Sequence, residues 1–294
     1  MEPLLVALDE EDPLASPLAA ALGAERAQMN RRSFPDGESY LRYDSSPAGR
    51  SVILLCSLDR PDSKFLPLAF AAATARELGA TSVGLVAPYL AYMRQDRRFQ
   101  PGEAVTSTCF AGLVSREVDW LVTVDPHLHR HHSLAEIYSV PAVTLHAAPL
   151  LAAWIRDNVE RPLLIGPDSE SAQWVSAVAG AAPHVVLEKV RHGDRDVEIS
   201  IPHVERWSGY TPVLVDDIVS SGRTLIETLG HLRRAGLAPA VCVAVHGIFA
   251  GAAYRELLAA GASRVVTTNT LCHESNEIDV VPLLAEGVRR LDAG

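Results

Sequence analysis

No apolar run in this chain is long enough to cross a bilayer, and the opening "MEPLLVALDEEDP" has neither a basic leader region nor a long apolar core. A cytoplasmic protein is expected. Positive charge is also scarce: 26 Lys and Arg against 36 Asp and Glu leave a formal net charge of −10. That balance excludes a general nucleic-acid or anionic-membrane surface, which rests on basic excess, but leaves room for a local basic site. The four cysteines, Cys56, Cys109, Cys242 and Cys272, are widely spaced and sit mostly in apolar runs, so they read as reduced, buried thiols and not as zinc pairs or a disulfide scaffold. No Pro/Gly/Ser-rich linker marks a domain boundary. What is present is 294 residues at 48% hydrophobic, enough for one large domain or two ordinary ones with substantial cores.

Strand-like and helical patterns alternate along the chain. "SVILLCS", "SVGLVAPY" and "WLVTVD" are separated by helical patterns over 65–78 and 106–117. The second half repeats the scheme with "PLLIGPD", a helix over "SESAQWVSAVAG", "HVVLEKVR", "VLVDD" with its helix, "AVCVAVHGIF" and "RVVTTNT". The alternation predicts α/β domains with mainly parallel sheets flanked by helices. Each half has a strand ending in acid, "VTVDPH" and "VLVDD", which predicts two similar domains, 1–147 and 148–294.

The most informative stretch is "PVLVDDIVSSGRTLIETLGHLRRAG". An apolar strand stops on Asp216 and Asp217, at the edge where open α/β sheets bind ligands. Leu225, Leu229 and Leu232 then recur at helical spacing, with Gly236 as the stop. Ser220, Ser221, Gly222, Arg223 and Thr224 therefore fall at the helix N-terminus, where backbone N–H groups favour phosphate. The loop lacks the Gly-Lys-Ser/Thr ending of a Walker A and the glycine spacing of a dinucleotide fold. It calls for a phosphate compound that also offers groups to two carboxylates.

Other segments carry two readings each. "FPDGESYLRY" contains a Pro-Asp-Gly turn and reads as a hairpin tip. "PYLAYMRQDRRFQPGEAVTS" concentrates Arg94, Asp96, Arg97 and Arg98 beyond a strand end, as a solvated loop or as cations for a triphosphate. "VDPHLHRHH" places Asp125 and His127 nearest a strand end, without the helical His-Glu-x-x-His pattern or a Cys partner of a zinc site. In "IGPDSESAQW", capping accounts for Ser169 and Ser171 but leaves Asp168 unexplained. "LEKVRHGDRD", with Lys189, Arg191 and Arg195, is a surface turn or a mobile loop that brings cations over a reacting phosphoryl group.

Taken in order, "FPDGE", "PYLAYMRQDRRF", "VDPH", "GPDS", "EKVR", "VLVDDIVSSGRT", "VHGIF" and "VVTTNT" resemble the ribose-phosphate pyrophosphokinase family, the phosphoribosyl diphosphate (PRPP) synthetases, from Phe34 to about Leu284. The resemblance implies two phosphoribosyltransferase-type domains with a catalytic pocket at their junction, and a homo-oligomer. It implies transfer of the diphosphate of ATP to the 1-hydroxyl of ribose 5-phosphate with Mg²⁺, giving PRPP and AMP. By matching motif, Phe34, Asp36, Gly37, Glu38, Arg94 and Gln95 would hold ATP, and Asp216, Asp217 and Ser220 to Thr224 the sugar phosphate. His127 and Asp168 match positions near the metal, and Lys189 and Arg191 the cations of the catalytic loop.

Three positions depart from the family pattern. Ser220 stands where most members have an acid, Arg223 where a glycine is usual, and Glu170 where a glycine commonly follows the Pro-Asp pair. A phosphoribosyltransferase that consumes PRPP would suit the Asp-Asp/Ser-Ser loop but not the ATP segments. A non-catalytic regulatory homologue is opposed by the retained Lys189, Arg191, His127 and loop aspartates.

Overall fold

The structure, a computed structural model, describes residues 2–128, 130–167, 171–180, 182–192, 196–200 and 204–292. Packing divides the chain into two units, Met1–His146 with Val280–Gly294, and Ala147–Asp279.

The first unit runs β1 (Leu4–Ala7), α1 (Ala15–Leu22), β2 (Glu25–Arg26), β3 (Met29–Ser33), β4 (Ser39–Tyr43), β5 (Ser51–Leu55), α2 (Asp62–Glu77), β6 (Ser82–Ala87), α3 (Thr106–Glu117), β7 (Trp120–Val124) and β8 (Ala142–Leu145). The second runs α4 (Ala148–Asn158), β9 (Pro162–Gly166), α5 (Ala172–Ala179), β10 (His184–Val186), β11 (Glu188–His192), β12 (Asp196–Ser200), β13 (Thr211–Val219), α6 (Arg223–Arg234), β14 (Val241–Gly247), α7 (Ala253–Ala259), β15 (Arg264–Thr268) and β16 (Asn276–Ile278). The last helix, α8 (Val281–Asp292), returns to the first unit and packs on α1, β7 and β8. The sequence pattern leaves this segment with the second domain, because an amphipathic helix does not say which sheet covers it.

Each unit holds a parallel sheet with the same order, β2-β1-β5-β6-β7-β8 in the first and β10-β9-β13-β14-β15-β16 in the second. Each also carries an antiparallel ribbon at the same point of the chain, β3–β4 and β11–β12. The central strands are buried on both faces, which is why they read as continuous apolar runs. In the first unit Val52 and Leu54 share a core with Leu68, Ala72, Phe110 and Val114. In the second, Leu225, Leu229 and Leu232 of α6 lie in the core with Leu214, Cys242 and Leu257, as their spacing predicts.

All four thiols are free, but only Cys56 and Cys242 are buried; Cys109 and Cys272 are exposed. The expectation of buried thiols thus fails for two of the four: Cys109 lies on the outer side of α3, one residue from the inward Phe110, and Cys272 lies beyond the end of β15.

Candidate active site

In the second unit, β13 does not stop at the two acids. It continues through them to Val219, with Asp216 opposite Ala244, Ile218 opposite His246 and Val219 opposite Gly247. The long β14 supplies the ladder partners that the sequence pattern does not reveal. Asp216 and Asp217 are both half-buried, and the Asp217 N–H donates to Asp216 Oδ1 at 3.0 Å. The chain then turns at Gly222, which caps α6 in the left-handed conformation (φ 68°). The first N–H groups of a helix have no intrahelical partner and sit at its positive end, a setting that favours an anion. Ser221 is exposed, Ser220 and Thr224 are half-buried, and Arg223 is an exposed ordinary first helical residue. The left-handed demand falls on Gly222 and not on position 223, so Arg223 costs no backbone strain.

Lys189 and Arg191 lie on β11, opposite Ile199 and Val197 of β12. Their backbone forms a strand of a ribbon and not a simple loop; their side chains, and Asp168 and Glu170, lie outside the described residues.

In the first unit, Phe34, Asp36, Gly37 and Glu38 are exposed at the tip of the β3–β4 hairpin. The Phe34 N–H donates to the Glu38 carbonyl at 2.7 Å, and the Glu38 N–H to Asp36 Oδ1 at 3.2 Å. The Arg32 guanidinium lies 4.6 Å from the Phe34 ring centroid and 4.3 Å from that of Tyr40. The hairpin reading of the turn and an aromatic surface for a ligand are compatible here, since Phe34 remains 39% exposed at the tip even with Arg32 over its ring.

The loop after β6 is more ordered than its charge suggests. Asp96 accepts two hydrogen bonds from Arg130 (2.8 and 3.0 Å), and Arg98 Nε donates to the Glu103 carbonyl at 2.9 Å. Arg97 lies over Phe99. Gln95 Oε1 accepts from Thr106 Oγ1 at 3.2 Å, tying it to the start of α3. Arg94 is exposed and, among the described residues, has no ion-pair partner. Arg97 and Arg98 likewise have no ion pair among the described residues, but each rests against a loop neighbour, so Arg94 is the cation of this loop without such a contact there. Among the described residues no hydrogen bond, ion pair or ring contact joins the hairpin tip to Arg94 or Gln95.

Asp125 and His127 follow β7 with φ of 35° and 31°, left-handed backbone that costs about 1–3 kcal/mol at a non-glycine residue and gathers at functional sites. The buried Asp125 holds His146, at the end of the neighbouring β8, through Oδ1 to Nδ1 at 3.0 Å. That hydrogen bond raises the His146 pKa above the ordinary imidazole value, against a smaller opposing effect of burial. His146 carries no local sequence signal; the parallel register that sets Val124 opposite Leu145 brings it to Asp125.

Among the described residues no group of three or more His, Cys, Asp or Glu is placed to hold a metal. Magnesium is commonly held by one or two carboxylates plus substrate phosphates, without an all-protein cage. The lack of a three-ligand cluster among the described residues is compatible with an ion of that kind, and Asp168, one of the two positions matched to the metal, lies outside them.

The model of the N-terminal domain of ribose phosphate pyrophosphokinase matches residues 4–116, and that of the phosphoribosyl transferase domain matches residues 133–285. A ribose-phosphate pyrophosphokinase of Methanopyrus kandleri is 34% identical over 98% of this chain and 99% of its own. One of Methanothermobacter thermautotrophicus is 32% identical over 96% and 99%. The crystal structure of phosphoribosylpyrophosphate synthetase from Mycobacterium smegmatis shares the fold, with a TM-score of 0.88 over 100% of both chains at 24% identity. With relatives of this identity aligned from end to end, the chain belongs to the ribose-phosphate pyrophosphokinase family.

Proposed function

We propose that the chain transfers the diphosphate of ATP to the 1-hydroxyl of ribose 5-phosphate, giving PRPP and AMP. The observation that carries this reading is the sequence of groups along β13 and α6: two half-buried carboxylates, then a glycine-capped helix terminus. Asp216 and Asp217 accept hydrogen bonds from the sugar hydroxyls, while the N–H groups and hydroxyls of Ser220 to Thr224 hold the 5-phosphate. In the first unit, Arg94 and Gln95 with Phe34, Asp36, Gly37 and Glu38 hold ATP.

The sugar O1 attacks the β-phosphorus: a bond forms from O1 to that phosphorus as the hydroxyl proton is lost to solvent, the bond to the α-β bridging oxygen breaks, and AMP leaves carrying that oxygen. Alignment of O1 with the leaving oxygen is the main task of the binding groups. Lys189 and Arg191 supply positive charge where negative charge develops on the transferred group and the leaving oxygen. Mg²⁺, near His127 and Asp168, would neutralise phosphate oxygens. A cytoplasmic homo-oligomer completes the reading. Among the described residues no helix is long and apolar enough to cross a membrane.

Incubation with ATP, ribose 5-phosphate and Mg²⁺, followed by identification of the nucleotide, tests the reaction. AMP is expected. ADP in step with a phosphorylated sugar would make the protein an ordinary kinase, and absence of turnover would favour a regulatory homologue.

A further inference from the structure

The segment after β14 is built as a brace for the start of the anion loop. The carbonyl of Val219 accepts N–H groups from Ile248 and Phe249, each at 3.0 Å, and the carbonyl of Ser220 accepts that of Ala250 at 3.0 Å. Phe249 makes its bond from a left-handed backbone, φ 44°, which a bulky residue keeps only where its surroundings hold it.

Its ring provides that hold. Phe249 is buried, its centroid 4.5 Å from that of His273 and 5.3 Å from that of Tyr254, which are 4.8 Å from each other. His273 is itself fixed, because the Ser275 N–H donates to its Nδ1 at 3.1 Å. Beneath the ring, a Cβ on Gly247 would stand 2.5 Å from Phe249 Cε2, so the close approach needs glycine. On the other side of the loop, Leu257 of α7 packs at Gly222, with its Cγ 3.4 Å from where a Cβ would be.

Resting on the reading of residues 220–224 as the ribose 5-phosphate loop, we propose that Phe249 is a positioning residue for that site. The ring cluster of Phe249, Tyr254 and His273 holds the backbone of 248–250, and this backbone sets Val219 and Ser220, from which the phosphate-facing N–H groups follow. Phe249 need touch no substrate.

Calorimetric binding of ribose 5-phosphate and of ATP to the full chain tests it. Phe249→Ala is expected to weaken ribose 5-phosphate binding roughly tenfold, as small misplacements of positioning groups do, and to leave ATP binding unchanged. Phe249→Tyr keeps the ring and is expected to bind like the parent. Should Phe249→Ala fail to fold, Tyr254→Leu, which removes one wall of the cluster, is expected to weaken the sugar phosphate about threefold. A parent that binds ribose 5-phosphate and a Phe249→Ala or Tyr254→Leu variant that binds it equally well would overturn the positioning role alone. Equal losses for both substrates would also overturn it, by showing general packing damage. A parent that does not bind ribose 5-phosphate would instead remove the site reading, and the brace with it.

Discussion

Gly287 on α8 meets Val122 of β7 at a distance no side chain could share: a Cβ there would stand 2.9 Å from Val122 Cγ1, and 2.9 Å from Leu145 Cδ1 as well. The end of the chain is thereby fitted to the sheet built by its beginning. Gly287→Leu must push α8 off β7 and β8, and overpacking of this kind costs about 1–3 kcal/mol. Thermal unfolding of the variant is expected to fall by several degrees, while Arg290→Ala, which removes an exposed pair with Glu286, melts with the parent. If Gly287→Leu also melts with the parent, α8 does not pack here.

The contact also shows what the sequence could and could not reveal. Buried parallel strands such as Ser51–Leu55 and Trp120–Val124 announce themselves because both faces are apolar, and α6 because Leu225, Leu229 and Leu232 recur on one side. The start of α6 just after Gly222 is legible for the same local reason. His146 against Asp125, Arg130 against Asp96, and Phe249 behind Val219 are not, since each pairing depends on strand register or a loop path that brings together residues 21, 34 and 30 positions apart. The end of β13 was misplaced because two acids look like a strand stop when the neighbouring β14 is out of view.

The cysteines separate into two kinds. Burial pushes the thiols of Cys56 and Cys242 up to about 12, so thiolate forms on them only well above neutral pH, whereas Cys109 and Cys272 are exposed. In a thiol titration with an aromatic disulfide at pH 8, two thiols are expected to react in the folded protein and two more after denaturant is added. Peptide mapping should assign the first pair to Cys109 and Cys272. Four fast thiols would show that the cores of both units open readily.

Asp216→Asn keeps the shape of the side chain and removes its charge. If Asp216 accepts hydrogen bonds from the sugar, loss of a charge-assisted bond costs about 1.5–3 kcal/mol, which is roughly a 10- to 150-fold weaker dissociation constant. Calorimetry is expected to show that loss for ribose 5-phosphate and little change for ATP. Unchanged sugar-phosphate affinity would move the site away from the end of β13.

Lys189 divides a catalytic ribbon from a merely structural one. Its strand, β11, is paired along its length with β12, and the equivalent ribbon of the first unit, β3–β4, carries the Phe34 hairpin. The fold thus uses the same insertion twice, once for the residues proposed to hold ATP and once for the proposed catalytic cations. If Lys189 acts on charge that develops in the transition state, Lys189→Ala should lower kcat and kcat/KM together and leave substrate affinities close to the parent. Removal of one preorganised donor of this kind costs about 10²- to 10³-fold in rate. A lysine that serves only the ribbon would change turnover little, and a lysine that binds ground-state ATP would raise KM with kcat preserved. Thermal unfolding of the same variant provides the control, since a drop in kcat at unchanged melting temperature separates chemistry from folding. Full turnover in Lys189→Ala would take this residue out of the mechanism and leave the developing charge to other groups.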